Sequence, residues 1–159
     1  VYGGELSVED QVKAACLLNF AKFTEWPEAG RPVAHEPFRI GVLEDGEFAD
    51  YLRTLVIGRE IQGSSVEIVL LPVLDDSTGC QMLFLRDTQR PVWTPKLTKL
   101  AAGPILVVGE TDSFATMGGT IGFWRDQNKV RFEVNVERSK RAGLQISSKL
   151  LSLARIVRD

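Results

Sequence analysis

Four polar residues lie just after predicted strands, where an α/β protein usually carries its functional side chains. They are Glu44, Asp45, Asp87 and Thr111. The carboxyl ends of parallel strands meet at one edge of a doubly wound sheet, and functional groups gather there. We therefore expect these side chains to lie close together, where they could line a pocket for a small molecule. A second possibility for this set is acceptance of a phosphoryl group.

Phosphoryl acceptance is the weaker of these two chemistries. A receiver-like phosphoacceptor site would also need a Lys at the end of the last parallel strand, and Trp124 and Arg125 stand there instead. Helix capping and turn formation explain Asp45 and Asp112 without any chemistry.

Motifs for cofactor binding and catalysis are absent from the sequence. There is no G-x-G-x-x-G fingerprint, no Gly-Lys-Ser/Thr and no G-x-S-x-G. His35 is the single histidine, and with two distant cysteines it cannot supply a zinc site at any familiar spacing. We therefore predict a protein that has no catalytic residues, no metal and no cofactor.

A second candidate site lies in the C-terminal part of the chain, which is basic. From Arg125 onward nine Lys/Arg face four Asp/Glu, whereas the preceding residues carry a local charge of −7. Aromatic and Arg residues are over-represented at binding hot spots. The predicted surface for a protein partner comprises Trp124, Arg131, Glu133, Lys140 and Arg141. The alternative is that these are solvated strand and helix faces, with Trp124 packed for structure.

Length and composition indicate one ordinary globular domain spanning residues 1–159. Apolar residues make up 44% of the chain and charged residues 25%. The net charge of −2 argues against a nucleic-acid partner. No apolar run reaches the roughly 18 residues that span a bilayer, so direct membrane insertion is not expected. A homodimer is possible on frequency alone.

The first predicted element is a helix from Ser7 to about Thr24. Ser7 and Asp10 resemble a capping box at its start. Trp26-Pro27 ends it, because a residue before proline avoids the helical region. The apolar stripe predicted to face the core comprises Val12, Cys16, Phe20 and Phe23.

Aliphatic strands then alternate with helices. The predicted strands are Phe38–Leu43, Val66–Leu71, Gln81–Leu85 and Ile105–Val108, followed by a hairpin of Thr120–Trp124 with Lys129–Asn135. A short basic helix ends at Gly143, and an amphipathic helix with Leu150, Leu151, Leu153, Ala154 and Val157 follows. The pattern predicts a single three-layer, Rossmann-like α/β domain with a mostly parallel sheet, an antiparallel edge hairpin and helices on both faces.

Three stretches resemble the YfiR-like family of periplasmic proteins. They are VKAACLLNFAKFTEWP, FRIGVLED and FEVNVERSKRAGLQISSKLLSLARIV, in that order along the chain. The resemblance implies export to the periplasm, which agrees with a chain that opens at Val1 rather than Met after removal of a signal peptide. It also implies repression of an inner-membrane diguanylate cyclase through its periplasmic sensor region, which lowers cyclic di-GMP and biofilm formation. No catalytic residues are attributed to the family. The rival function is that of a periplasmic small-molecule sensor or carrier.

The cysteines depart from the family pattern. Cys16 lies on an apolar helical face and Cys80 at the start of a predicted strand, so two buried free thiols are expected, with one bridge as the alternative. The resemblance implies a Cys in the first strand, near Gly41, that pairs with a Cys near Cys80. Because Gly41 stands there, that bridge cannot form in this chain.

Overall fold

An eight-stranded sheet organises the chain. The computed structural model describes residues 6–77 and 79–159, so the first five residues of the predicted domain and Thr78 lie outside the described residues. The strands are β1 (Thr24–Glu25), β2 (Phe38–Leu43), β3 (Glu60–Ile61), β4 (Ser64–Leu71), β5 (Met82–Leu85), β6 (Leu106–Gly109), β7 (Ile121–Asp126), β8 (Lys129–Asn135), β9 (Gln145–Ile146) and β10 (Arg155–Val157). The helices are α1 (Val8–Lys22), α2 (Gly46–Val56), α3 (Arg90–Trp93), α4 (Leu97–Ala102), α5 (Phe114–Met117), α6 (Val136–Arg141) and α7 (Ser148–Leu151).

The sheet is mostly parallel, as predicted. Its strand order is β10-β8-β7-β6-β5-β2-β4-β3, and β1 pairs with β9 in a separate two-stranded ribbon. Strands β4, β2, β5, β6 and β7 run parallel, while β7 and β8 form the predicted antiparallel hairpin. The predicted α/β fold class is confirmed.

Both faces of the central strands are buried, which explains their unbroken aliphatic sequences. On one face α1 and α2 cover a core in which Phe20, Phe48, Phe84 and Phe123 pack ring against ring. On the other face Leu83, Leu85 and Val107 pack in a second core with Trp93 and Phe114, which come from α3 and α5. The sheet therefore lies between two helical layers.

Helix α1 begins where the sequence predicts, but it is rotated about its axis relative to the prediction, so that a different face is buried. The Ser7 hydroxyl accepts a hydrogen bond from the amide of Asp10 at 3.1 Å. The predicted stripe is wrong in part, because Val12 is 41% exposed and Cys16 only half-buried. The fully buried face comprises Ala14, Leu17, Phe20 and Ala21. This rotation also buries Lys13 at the sheet edge.

The C-terminal segment differs from the prediction. Helix α7 ends at Leu151, and Arg155–Val157 forms β10 instead of continuing the amphipathic helix. β10 pairs parallel with Glu133–Asn135 of β8, outside the hairpin. Ile156 and Val157 are β-branched and favour a strand when a free sheet edge is available. The prediction of a helix through Val157 was wrong because that edge lies 22 residues away in sequence.

The first and third stretches that carry the family resemblance meet in space. β1 pairs with β9, and the amide of Ser147 donates to the carbonyl of Phe23 at 2.8 Å. Gly143, at φ +78°, lies against Pro27, where an added Cβ would come within 3.1 Å of the proline ring. Trp26 donates its indole N–H to the carbonyl of Gln81 at 2.8 Å. These contacts fasten the end of α1 to the start of β5 and to the C-terminal segment.

Neither cysteine is bonded to the other. Cys80 is buried and Cys16 is half-buried, and burial raises the pKa of Cys80 to about 11. Gly41 packs beside Cys80 in the second core. A Cβ placed at Gly41 would lie 3.2 Å from the Cys80 sulfur and 2.8 Å from the methyl ends of Leu71 and Leu83.

A thiol at position 41 is therefore expected to bond to Cys80. In Gly41→Cys, oxidation should leave one free thiol in the denatured protein, and the oxidised form should melt at a higher temperature than the reduced form. The chain-entropy model gives roughly 3–4 kcal/mol for a loop of this size, less the strain of moving two leucine side chains. Thiol titration and thermal melting measure both effects. Gly46→Cys is the matched control, because outside its own helix and chain neighbours a Cβ there would meet only Leu70 among the described residues within 4 Å. Bonding at position 46, or none at position 41, would contradict the geometry.

Candidate functional site

Charged side chains from three parts of the fold converge at the carboxyl edge of the sheet. We call them the Arg86 cluster, which comprises Asp10, Lys13, Asp45, Arg86 and Glu110. The first turns of α1 supply Asp10 and Lys13, and the turn after β2 supplies Asp45. Arg86 and Glu110 are the residues directly after β5 and β6. Adjacent parallel strands thus bring the last two together.

Arg86 is the centre of this cluster. Its guanidinium contacts Asp10 at 2.8 Å, Glu110 at 3.0 Å and Asp45 at 3.3 Å, and it lies 5.1 Å from the ring centroid of Phe48. Burial alone would lower the pKa of Arg86. Hydrogen bonds to Asp10 and Glu110 outweigh burial and raise the pKa. The guanidinium therefore stays charged beneath α1.

Glu110 joins Arg86 to the helix. Both of its oxygens accept from Arg86, one also accepts from Lys13 Nζ at 2.7 Å, and the other accepts from the amide of Asp87 at 2.9 Å. Burial acts to raise the pKa of Glu110, but the hydrogen bonds from Arg86, Lys13 and the amide hold it below the ordinary value. Lys13 also contacts Glu9 at 2.9 Å, and Glu9 pairs with Arg125 from the hairpin.

Three of the four residues predicted to line a ligand pocket lie at this edge. Asp45 caps α2 and contacts Arg86, while Asp87 accepts a 2.5 Å hydrogen bond from the hydroxyl of Thr111. Asp87 and Thr111 border a depression of about 360 Å³ beside Lys13, Arg86 and Glu110. Glu44 follows β2 at φ +48° and is exposed to solvent.

Sequence reasoning missed Arg86, Glu110 and Lys13. The rule that places functional groups after parallel strands identified this edge. It selected Asp87 and Thr111, whereas Arg86 and Glu110, one residue earlier in each case, directly follow the strands. Each cation of the cluster contacts at least two carboxylates, with Glu9 as the second partner of Lys13, which supports a structural function that ties α1 to the sheet. No group of three or more His, Cys, Asp or Glu side chains among the described residues could hold a metal ion.

The residues predicted to contact a protein partner fall into two groups. Trp124, Arg131 and Glu133 share one face of the β7–β8 hairpin, because Trp124 stands opposite Arg131 and Gly122 opposite Glu133. Lys140 and Arg141 lie on α6, beyond the other end of β8. Lys140 is exposed, and Arg141 pairs with Asp159, as does Arg138 at 2.8 Å.

Arg155 covers the hairpin group. Its guanidinium lies 3.8 Å from the ring centroid of Trp124 and donates to Glu133 at 2.7 Å. Glu133 is only 3% exposed, so it lies beneath Arg155 rather than at the surface. Arg131 is exposed and pairs with Asp126. Sequence reasoning did not identify Arg155 here, because this segment was predicted to be helical.

Removal of the central cation should destabilise the fold. Arg86→Met leaves Asp10 and Glu110 without their main partner, and we expect a loss of about 3 kcal/mol at neutral pH. Urea unfolding at pH 7 measures the loss. Lys96→Met is the matched control, because Lys96 forms an exposed pair with Asp75 and should cost less than about 1 kcal/mol. Equal losses in the two variants would contradict a structural function of the cluster.

The cluster should also make stability fall in acid. Because the folded-state pKa of Glu110 is depressed below its ordinary value of 4.5, its contribution is complete above that pH and is lost as the pH falls through the folded-state pKa. Glu110→Gln should therefore lower the melting temperature at pH 7 and narrow its difference from the unsubstituted protein towards pH 3. A difference that stays constant between pH 7 and pH 3 would contradict this linkage.

No helix within the described residues is both long enough and apolar enough to cross a membrane.

Comparison with solved structures shows similarity in fold alone. One match is the ABC domain from Streptococcus pneumonia in complex with L-Trp, at 12% identity and a TM-score of 0.50. The match covers 76% of this chain and 55% of that chain, so the present chain spans about half the length of that structure. A comparison with curated proteins found no significant match.

Comparison with protein families gives a match over nearly the whole chain. The profile described as YfiR/HmsC-like matches residues 10–155, which include α1 from its third residue, the β1–β9 ribbon and the eight-stranded sheet up to the first residue of β10. The family is a regulatory, non-catalytic one, associated with the periplasm and with control of cyclic di-GMP signalling. The chain belongs to the YfiR/HmsC-like family.

Proposed function

We propose that this protein binds the periplasmic sensor region of an inner-membrane diguanylate cyclase and represses the enzyme. The cyclase would then make less cyclic di-GMP, and biofilm formation would fall. The observation that carries this proposal is the family match over residues 10–155. The paired charges of the Arg86 cluster support it, because they hold the fold together rather than present an unpaired catalytic group.

Repression of this kind needs no reaction. A protein that binds the inactive conformation of the sensor more tightly than the active one shifts the population towards the inactive state. The shift is limited by the ratio of the two affinities, so a change from 1:99 to 99:1 needs a preference of about 10⁴-fold. A rigid surface suits this task because it cannot adapt to both conformations equally. The buried aromatic packing beneath α1 supplies such rigidity.

The proposed contact surface is the exposed part of the basic C-terminal region. Arg131 and Lys140 are exposed, and Arg141 is exposed beside Asp159. Trp124 contributes an aromatic ring that Arg155 partly covers, with Glu133 held beneath it. Cations at the rim of an interface mainly accelerate association with an acidic partner. We therefore propose that the sensor presents an acidic surface to this region.

Charge reversal tests this surface. Arg131→Glu together with Arg141→Glu should weaken binding of the purified sensor region by roughly tenfold or more, mainly through slower association at low salt. Surface plasmon resonance measures the rates, and cyclic di-GMP production by the membrane-bound cyclase measures repression. Arg59→Glu is the control, because Arg59 is an exposed arginine next to β3 at the opposite edge of the sheet. Unchanged binding in the double variant would reject the surface, and failure of the unsubstituted protein to bind any cyclase sensor would reject the function.

The depression beside Asp87 and Thr111 offers the rival function, a small-molecule sensor or carrier. Of its charged lining, Glu9, Lys13, Arg86 and Glu110 are engaged in internal ion pairs, so a ligand that bound these groups would have to displace contacts that hold α1. A ligand at Glu44, Asp45, Asp87 and Thr111 stays a prediction.

A further inference from the structure

Residues Arg155–Asp159 lie along the outer edge of the hairpin, and we call them the strap. Their backbone adds β10 to the outer edge of β8. Arg155 reaches Glu133 and the Trp124 ring, and Asp159 accepts from Asn135 at 2.9 Å and pairs with Arg138. The strap is thus fixed at its two ends by polar contacts.

Little apolar surface holds the strap. Ile156 is 42% exposed and Val157 half-buried, and only three residues pair with β8. At each end an exposed arginine forms an ion pair, Arg141 with Asp159 and Arg155 with the buried carboxylate of Glu133. Water and salt screen the Arg141–Asp159 pair, which therefore stabilises weakly, whereas the Arg155–Glu133 pair has one buried partner. Segments with few buried apolar contacts open at lower free energy than the core. The strap is therefore expected to open at a lower free energy than the core of the sheet.

A buried donor beside the strap has no acceptor among the described residues. The indole Nε1–H of Trp124 is inaccessible to solvent and has no hydrogen-bond partner among the described residues. A buried N–H without an acceptor is costly, whereas Trp26 and Trp93 both donate to backbone carbonyls. Opening of the strap would uncover the Trp124 ring and the Glu133 carboxylate together, next to the outer edge of β8. These groups form a ready site for another strand.

We propose that the outer edge of β8 is a binding site for an extended segment of a partner protein, and that the strap occupies it in the absence of the partner. The strap itself indicates the chemistry of that segment. An Arg or Lys would stack on Trp124 and pair with Glu133, two apolar β-branched residues would follow, and an acidic residue would then face Arg138 and Arg141. Addition of a strand to a free edge is an established mode of peptide recognition.

The strap would set the apparent affinity of this site. A site that is accessible in only a fraction of molecules binds its ligand more weakly by that fraction. A change that opens the strap should therefore strengthen binding of an external segment without any new contact. The identity of the partner as a cyclase sensor rests on the proposed function, but the existence of the site does not.

A peptide with the sequence of residues 152–159, Ser-Leu-Ala-Arg-Ile-Val-Arg-Asp, is the probe. Arg155→Glu in the full chain places like charges together at Glu133 and should open the strap, since Glu133 is the one carboxylate that Arg155 contacts among the described residues. Fluorescence anisotropy of the labelled peptide should show binding at least roughly tenfold tighter to Arg155→Glu than to the unsubstituted protein. Hydrogen exchange of β8 amides should accelerate in the same variant when no peptide is present.

Two controls separate the strap from a general effect of charge. Arg158→Glu makes the same charge change in the same segment at an exposed residue, and it should leave peptide binding unchanged. A peptide with Glu in place of its first Arg should not bind Arg155→Glu. Should Arg155→Glu fail to fold, as judged by circular dichroism, Arg155→Ala removes the same contacts without repulsion and should show the same direction of change.

Equal peptide affinity for the unsubstituted protein and Arg155→Ala, with unchanged β8 exchange, would overturn the proposal. A concentration-dependent dimer of the opened variant that excludes the peptide would assign the edge to a second copy of this chain, and would also overturn it. Peptide binding without any cyclase binding would uphold the site and reject the proposed function instead.

Discussion

The rest of the structure depends on the burial of Arg86 beneath α1. A buried cation is costly unless carboxylates surround it, and here they come from the first turn of α1, from the turn after β2 and from the residue after β6. The helix cannot rotate or slide without separating these charges. The same constraint places Lys13 inward against Glu110 and leaves Val12 in solvent.

The sequence predicted the fold class because the evidence for it is local. Strands such as Phe38–Leu43 and Met82–Leu85 are aliphatic throughout, which is typical of parallel strands covered on both faces. The rotation of α1 was not predictable in this way, since two apolar stripes compete on that helix and a distant ion pair decides between them. The segment Arg155–Val157 was misread for a related reason: its conformation is set by a free edge of β8, which no local pattern reveals.

The candidate sites, like the fold, were predictable only where local sequence patterns determine the structure. The rule about parallel strands located the edge where Asp87 and Thr111 lie, but which residue turns inward depends on partners from other strands. At the hairpin, the strand register places Trp124, Arg131 and Glu133 on one face. Local patterns could not show that Arg155 covers two of them, because that contact joins residues about 20 to 30 positions apart and crosses a misassigned helix.

The carboxyl edge of the sheet and the outer edge of β8 differ in how strongly their covering segments are bound, and this difference bears on recognition. At the carboxyl edge, buried charges are shared among three elements, so opening there would expose several unpaired ions at once. At the β8 edge, three strand residues and a few ion pairs hold the strap, beside an indole N–H that has no acceptor among the described residues. Local opening is therefore easiest beside the basic surface proposed to meet a partner, and it need not disturb the core. A protein that recognises one conformation of another molecule benefits from this arrangement. Its rigid core determines which conformation fits, and its strap determines the apparent affinity.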